Sequence, residues 1–172
     1  ASIPTARMQV YFIDNEEYFH RKAVLTDEKG NLFPDSDERA IFFVRGVLET
    51  VKKLGWTPDI IHCQGWMAAL LPIYAKTIYK DDPHFADTKI VYSLFNDGFD
   101  GTLDSGLQNK IAFDGIEKDL MDVIEDPSYI NLSKLAIQHS DAVVECGDNV
   151  HQELKDFVSS ADIASLGHTE DD

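Results

Sequence analysis

Cysteine, basic side chains and long apolar runs are all scarce in this chain of 172 residues. Only Cys63 and Cys146 are present, each inside an apolar run. A disulfide framework is therefore excluded as the basis of the fold, and a reducing, cytoplasmic setting is expected. Against 31 Asp and Glu stand 15 Lys and Arg, a net charge of −16. A surface of that sign repels phosphate backbones and anionic lipid, which argues against nucleic-acid and membrane partners. No apolar run approaches the ~20 residues needed to span a bilayer. The opening Ala-Ser-Ile-Pro-Thr-Ala-Arg holds no signal-peptide core, and its lack of an initiator Met suggests part of a longer protein. Walker and dinucleotide fingerprints and the Gly-x-Ser-x-Gly elbow are missing too. His20, His84, His139, His151 and His168 are scattered without metal-ligand spacing, so neither metal nor cofactor is expected.

What is present is an alternation of β-rich and helix-periodic segments around Pro58-Asp59-Ile60-Ile61-His62-Cys63-Gln64-Gly65-Trp66. That stretch reads as a short buried strand, a tight Gly turn and the start of a helix. Before it, residues 8–13 read as a strand and residues 16–34 as an irregular excursion. Ile41, Val44, Leu48 and Val51 recur at helical spacing over residues 38–54, with Asp35 and Glu38 as a capping box and Gly55 as the stop. After it come a helix over 66–79, kinked or split at Pro72, and an apolar strand over 89–95. A glycine- and aspartate-rich loop follows over 96–106. One short helix is expected within 109–126, built on Phe113, Ile116, Leu120, Val123 and Ile124. A helix over 131–139, a strand over 142–146 and a helix over 149–158 complete residues 1–158. Residues 159–172 are expected to form a disordered acidic tail. Such alternation is met most economically by an α/β fold, a Rossmann-like parallel sheet flanked by helices.

In open α/β sheets ligands sit beyond the carboxyl ends of the strands. Gln64, Gly65, Trp66 and Asn96 fall there. His62 lies within its strand, where a hydrogen-bonded core histidine is the plainer reading than a catalytic base. Backbone N–H groups in the loop 96–101 are able to cradle a phosphate, although Asp97 and Asp100 discourage an anion. The same two aspartates are too few for a calcium loop.

Several motifs carry a family resemblance. Tyr11-Phe12-Ile13-Asp14, Pro34-Asp35-Ser36-Asp37-Glu38-Arg39 and Gly55 to Trp66 resemble the N-terminal catalytic domain of bacterial glycogen synthases and plant starch synthases. That family writes Pro-Asp-(apolar)₂-His-x-His-Asp-Trp over the last of these. Lys89-Ile90-Val91-Tyr92-Ser93-Leu94-Phe95-Asn96 is similar to its Thr-x-His-Asn strand, and Leu132 to Ile137 followed by Asp141 is similar to its Leu-Lys-x-Gly-Ile…Ala-Asp stretch. The resemblance implies one half of a GT-B fold, glucosyl transfer from ADP-glucose to an α-1,4-glucan, and no metal. Only His62, Trp66 and Asn96 keep the family's identity. The family's carboxylate falls on Gly65, its second histidine on Gln64, and its glucose-contacting histidine on Phe95. The family's Lys-Thr-Gly-Gly donor loop and second domain have no counterpart in this sequence.

The expected substrate-binding positions are thus His62, Gln64, Gly65, Trp66, Phe95 and Asn96, with no catalytic residue assigned. One reading is a non-catalytic homologue that contacts α-glucan or ADP-glucose or regulates a protein partner. The other is an active synthase whose remaining parts lie in uncovered sequence or a partner chain. An unrelated small-molecule binder on a flavodoxin-like sheet is the third.

Overall fold

β-Rich runs separated by amphipathic segments can pair in parallel only through crossovers, and a computed structural model of the chain, which describes residues 2–3 and 8–167, shows that solution. Its main sheet is built from β3 (Ile60–Gln64), β4 (Lys89–Leu94), β5 (Ala142–Glu145) and β6 (Ala164–Leu166), all parallel and in the spatial order β3-β4-β5-β6. β1 (Ser2–Ile3) and β2 (Met8–Gln9) form a separate antiparallel pair. The helices are α1 (Glu16–Phe19), α2 (Ser36–Lys53), α3 (Leu71–Lys76), α4 (Leu107–Phe113), α5 (Tyr129–Gln138) and α6 (Gln152–Ser160), with 3-10 turns at Trp66–Ala68 and Lys118–Ile124.

Because the strands are laid down in sequence order, right-handed crossovers place α3, α5 and α6 on the same face of the sheet. Ile90, Tyr92, Leu94 and Val143 point into that face and are buried. They meet Leu70, Ile73 and Tyr74 around α3 and Leu132, Leu135 and Ala136 of α5 in one core. α2 packs outside α3 and contributes Val44 and Leu48, both fully buried. On the opposite face, His62 pairs in register with Val91, Val91 with Ala142 and Ala142 with Ala164; Gln64, Ser93, Val144 and Leu166 form the next row. His62, Gln64, Ala164 and Leu166 in these rows are exposed.

Several expectations are corrected. The stretch before Gly65 is an edge strand rather than a buried one: within β3 only Cys63 is buried, and Ile60 is 60% exposed. β4 and β5 are the interior strands. Only Met8–Gln9 of residues 8–13 is strand, and it lies outside the parallel sheet. Ile13 is drawn instead against Gly46 of α2, where a Cβ on the glycine would stand 2.9 Å from the Ile13 side chain.

The capping box does not form. Asp35 takes the N-cap position without a side-chain cap bond, because its carboxylate is held by both terminal nitrogens of Arg21. Glu38 accepts instead from Lys110 Nζ at 2.8 Å. The helix split expected at Pro72 is present, with the proline in the first turn of α3. Residues 109–126 hold two short elements rather than one. Phe113 closes α4 with 93% exposure, and Leu120 is exposed, while Ile116, Met121 and Ile124 supply the buried face. The tail expected from residue 159 is structured in part: α6 runs through Ser160 and β6 follows, hydrogen-bonded to β5, which would otherwise be an open edge. Residues 168–172 of that tail lie outside the described residues. Among the described residues no helix is long and apolar enough to cross a membrane.

Candidate functional site

Parallel strands end on the same side, so the turns after β3, β4 and β5 share one rim of the sheet. A cleft of about 530 Å³ opens there. Asn96, Gly98, Phe99, Asp100 and Gly101 from the loop after β4 form one wall. Ser128, Tyr129 and Ile130 at the start of α5, with His151 beyond β5, form another; Leu25, Thr26, Gly30 and Leu32 of the N-terminal excursion close it.

The loop after β4 is held by specific contacts. Tyr129 Oη donates to the Phe95 carbonyl at 2.6 Å, and Leu103 N–H donates to the Pro127 carbonyl at 3.0 Å. Gly98 admits the Tyr129 ring: a Cβ there would come within 2.7 Å of it. Ser128 caps α5 by accepting from Asn131 N–H at 3.3 Å. Trp66 packs edge-on to Phe99 with ring centroids 5.3 Å apart, and Phe99 meets Tyr129 at 6.1 Å. The three rings make a continuous aromatic row from the end of β3 to the start of α5. Burial, then the charge of Asp97, pushes the Tyr129 phenol up to about 12, so it is a neutral donor at physiological pH.

Gly65 has φ 78° and ψ 162°, a region essentially reserved for glycine. A Cβ at that position would stand 2.9 Å from Asp97 Oδ2. The carboxylate of a residue 32 positions along the chain therefore borders the space that a side chain on residue 65 would enter. Asp97 Oδ1 also lies 3.4 Å from Tyr129 Oη.

The six positions expected from sequence separate. Gly65, Trp66, Phe95 and Asn96 meet at the rim, with Asn96 in the cleft wall and Phe95 half-buried. His62 and Gln64 sit on the exposed face of β3. His62 is hydrogen-bonded, Nε2 to Ser93 Oγ at 2.6 Å, but it is an exposed residue of an edge strand and not a core histidine. Sequence reasoning missed Tyr129, His151 and residues 25–32, which no local pattern marks. The sequence presents Asp97 as a deterrent to anions and a cation ligand, not as a neighbour of Gly65; among the described residues no group of three or more His, Cys, Asp or Glu is placed to hold a metal.

A family model described as the starch synthase catalytic domain matches residues 1–166. The chain belongs to that family. It is 34% identical over 157 residues to a glycogen synthase of Chlorobaculum tepidum, covering 90% of this chain and 31% of that protein. Against a glycogen synthase of Pelodictyon phaeoclathratiforme it is 44% identical over 96 residues, or 55% of this chain and 20% of the other. The chain thus spans between a fifth and a third of these relatives. Among solved structures, the catalytic domain of Arabidopsis thaliana starch synthase IV, bound to ADP and acarbose, superposes with a TM-score of 0.64. That match is 19% identical and covers 88% of this chain and 32% of that one. It shows the fold, an α/β sheet of the GT-B glycosyltransferase type.

Proposed function

We propose that this chain is a non-catalytic member of the glycogen and starch synthase family, a domain that contacts α-glucan or ADP-glucose without transferring glucose by itself. One observation carries the reading: position 65, where the family motif has its carboxylate, is a glycine in a backbone conformation that other residues adopt only under strain. Phe95 stands where the motif has a histidine. Losing one preorganised group from a site where charge develops costs on the order of 10²–10³ in rate, and this rim departs from the motif at two positions.

The cleft nevertheless has what a sugar ligand uses: the rings of Phe99 and Tyr129, Asn96 and backbone groups of the loop after β4. A reducing compartment suits its two free thiols; burial pushes that of Cys63 up to about 12. Incubation of the purified chain with ADP-glucose and glycogen, with ADP release as the readout, is the test. No release above the protein-free rate is expected even at high protein concentration, and turnover would refute the reading.

The second reading, an active synthase completed by further sequence or a partner chain, is favoured by the small share of its relatives that this chain spans. It would be supported by ADP release appearing only when a second polypeptide is added.

A further inference from the structure

We propose that the outer edge of β3 is a docking edge for an extended segment of a partner protein, a segment uncharged over the length of β3 and carrying Lys or Arg at both ends. This interaction goes beyond the reading above and involves neither the cleft nor its ligand.

The direction of the free groups follows from the ladder. Successive residues of a strand aim their N–H and C=O to alternate sides. The Asp59 carbonyl accepts from Lys89 N–H at 2.9 Å, so Asp59, Ile61 and Cys63 face β4, and the N–H and C=O groups of Ile60, His62 and Gln64 point outward. Among the described residues no backbone group pairs with them. An edge of that kind is a template for another strand unless something blunts it. The register from Ile60↔Lys89 to Gln64↔Ser93 runs without a bulge, and Ile60–Gln64 contains no Pro, Lys, Arg, Asp or Glu. By contrast, the opposite edge, β6, is only three residues long. The half-uncovered side chain of Ile60 adds apolar surface beside the free groups.

Charge identifies the partner. Asp59, which is exposed, immediately precedes β3. At the other end stands Asp97, also exposed, its Oδ2 2.9 Å from the position of a Cβ on Gly65. An uncharged edge is thus bracketed by a carboxylate at each end. Lys89, opposite Ile60 in the register, lies one strand further in and faces Asp141 Oδ1 at 4.0 Å. An antiparallel second copy of β3 would set Asp59 of one chain against Asp97 of the other, between two chains of net charge −16. A segment with cationic ends meets complementary charge instead. Main-chain hydrogen bonds to Ile60, His62 and Gln64 would supply the pairing, and alternate side chains would pack beside Ile60.

The test is a titration of the uniformly ¹⁵N-labelled chain with the peptide acetyl-Lys-Thr-Val-Ile-Val-Thr-Lys-amide. Binding is expected to shift the amides of Ile60, His62 and Gln64 and to slow their hydrogen exchange. Two further peptides carry N-methyl groups, one at both Val and the other at Ile and both Thr. Because only one set of alternate N–H groups can face β3, one of these should lose binding and the other keep it. Exchanging the two Lys for Glu should weaken binding about tenfold. His62→Pro removes an outward N–H without touching a β3–β4 bond and should also weaken binding about tenfold; the N-methyl pair tests the same point on the unaltered chain should that variant not fold. No binding of the Lys-flanked peptide, or equal binding of both N-methylated peptides, would overturn the docking edge. Equal affinity for the Glu-flanked peptide would overturn the chemistry assigned to the partner. A dimer of the peptide-free chain in sedimentation velocity, dissociated by the Lys-flanked peptide, would replace that partner with a second copy and overturn the choice made here.

Discussion

Substituting Gly65 by alanine isolates the backbone from the chemistry at the rim. At φ 78° and ψ 162° a non-glycine residue carries about 1–3 kcal/mol of strain. Alanine also lowers the entropy of the unfolded chain, which offsets about 0.4–1 kcal/mol. The added Cβ meets only Asp97 Oδ2, at 2.9 Å, the tip of a side chain able to swing away, so the steric part is small. A net destabilisation of about 1–2 kcal/mol follows, or roughly 2–8 °C in Tm for a domain of this size. Urea unfolding followed by tryptophan fluorescence measures it, with an unchanged m-value expected. The double variant Gly65→Ala/Asp97→Ala separates backbone from clash. It should recover less than about 0.5 kcal/mol if backbone strain dominates. Wild-type stability in Gly65→Ala, or near-complete recovery in the double variant, would refute the reasoning. The same strain makes Gly65→Asp with Phe95→His a poor route back to activity, because the new carboxylate would arrive strained and next to Asp97. No glucosyl transfer is expected from that pair of substitutions.

Lys110 Nζ reaches Asp37 Oδ2 at 2.6 Å and Glu38 Oε1 at 2.8 Å, and Asp37 is fully buried with Oδ1 unpartnered. Lys110→Met should destabilise by about 2–3 kcal/mol, less than for a fully enclosed pair because Lys110 keeps access to water; adding Asp37→Asn should recover part of the loss in chemical denaturation. Arg21 holds the Asp35 carboxyl below its ordinary value by hydrogen bonding, and Lys110 does the same for Glu38. Depressed carboxylate pKa values stabilise the fold above the unfolded-state value, and that contribution is lost as pH falls through the folded-state value. The urea midpoint should therefore hold near neutrality and drop below about pH 4, with a shallower drop in Asp35→Asn; identical acid profiles would contradict the pairing. Phe113 is 93% exposed, so Phe113→Ser should change stability by no more than about 0.5 kcal/mol. A larger loss in a thermal melt would show that the ring is covered.

The α/β alternation was legible because each element announces itself locally. β4 is an apolar run with β-branched residues, and α2 repeats its buried positions, Val44 and Leu48, at helical spacing. The family was legible from short motifs whose residues are adjacent in the chain. The edge position of β3 was not legible: Ile60-Ile61-His62-Cys63 reads as an interior strand, and only the spatial order of the sheet leaves it with one neighbour. Nor could the sequence show that Asp35 belongs to Arg21 rather than to its own helix, since a side chain chooses among all acceptors and donors in reach.

The amino-acid sequence by itself determined where β3, β4, β5 and the helices between them fall, that these strands run parallel, and that a rim of strand ends would be the place for a ligand. Tertiary structure alone decided which side chains stand beside one another at that rim. Residues 65 and 97 are far apart along the chain, and no local pattern joins them. They meet because two adjacent parallel strands stop together, and the absence of a Cβ on Gly65 leaves the carboxylate of Asp97 room to stand beside it.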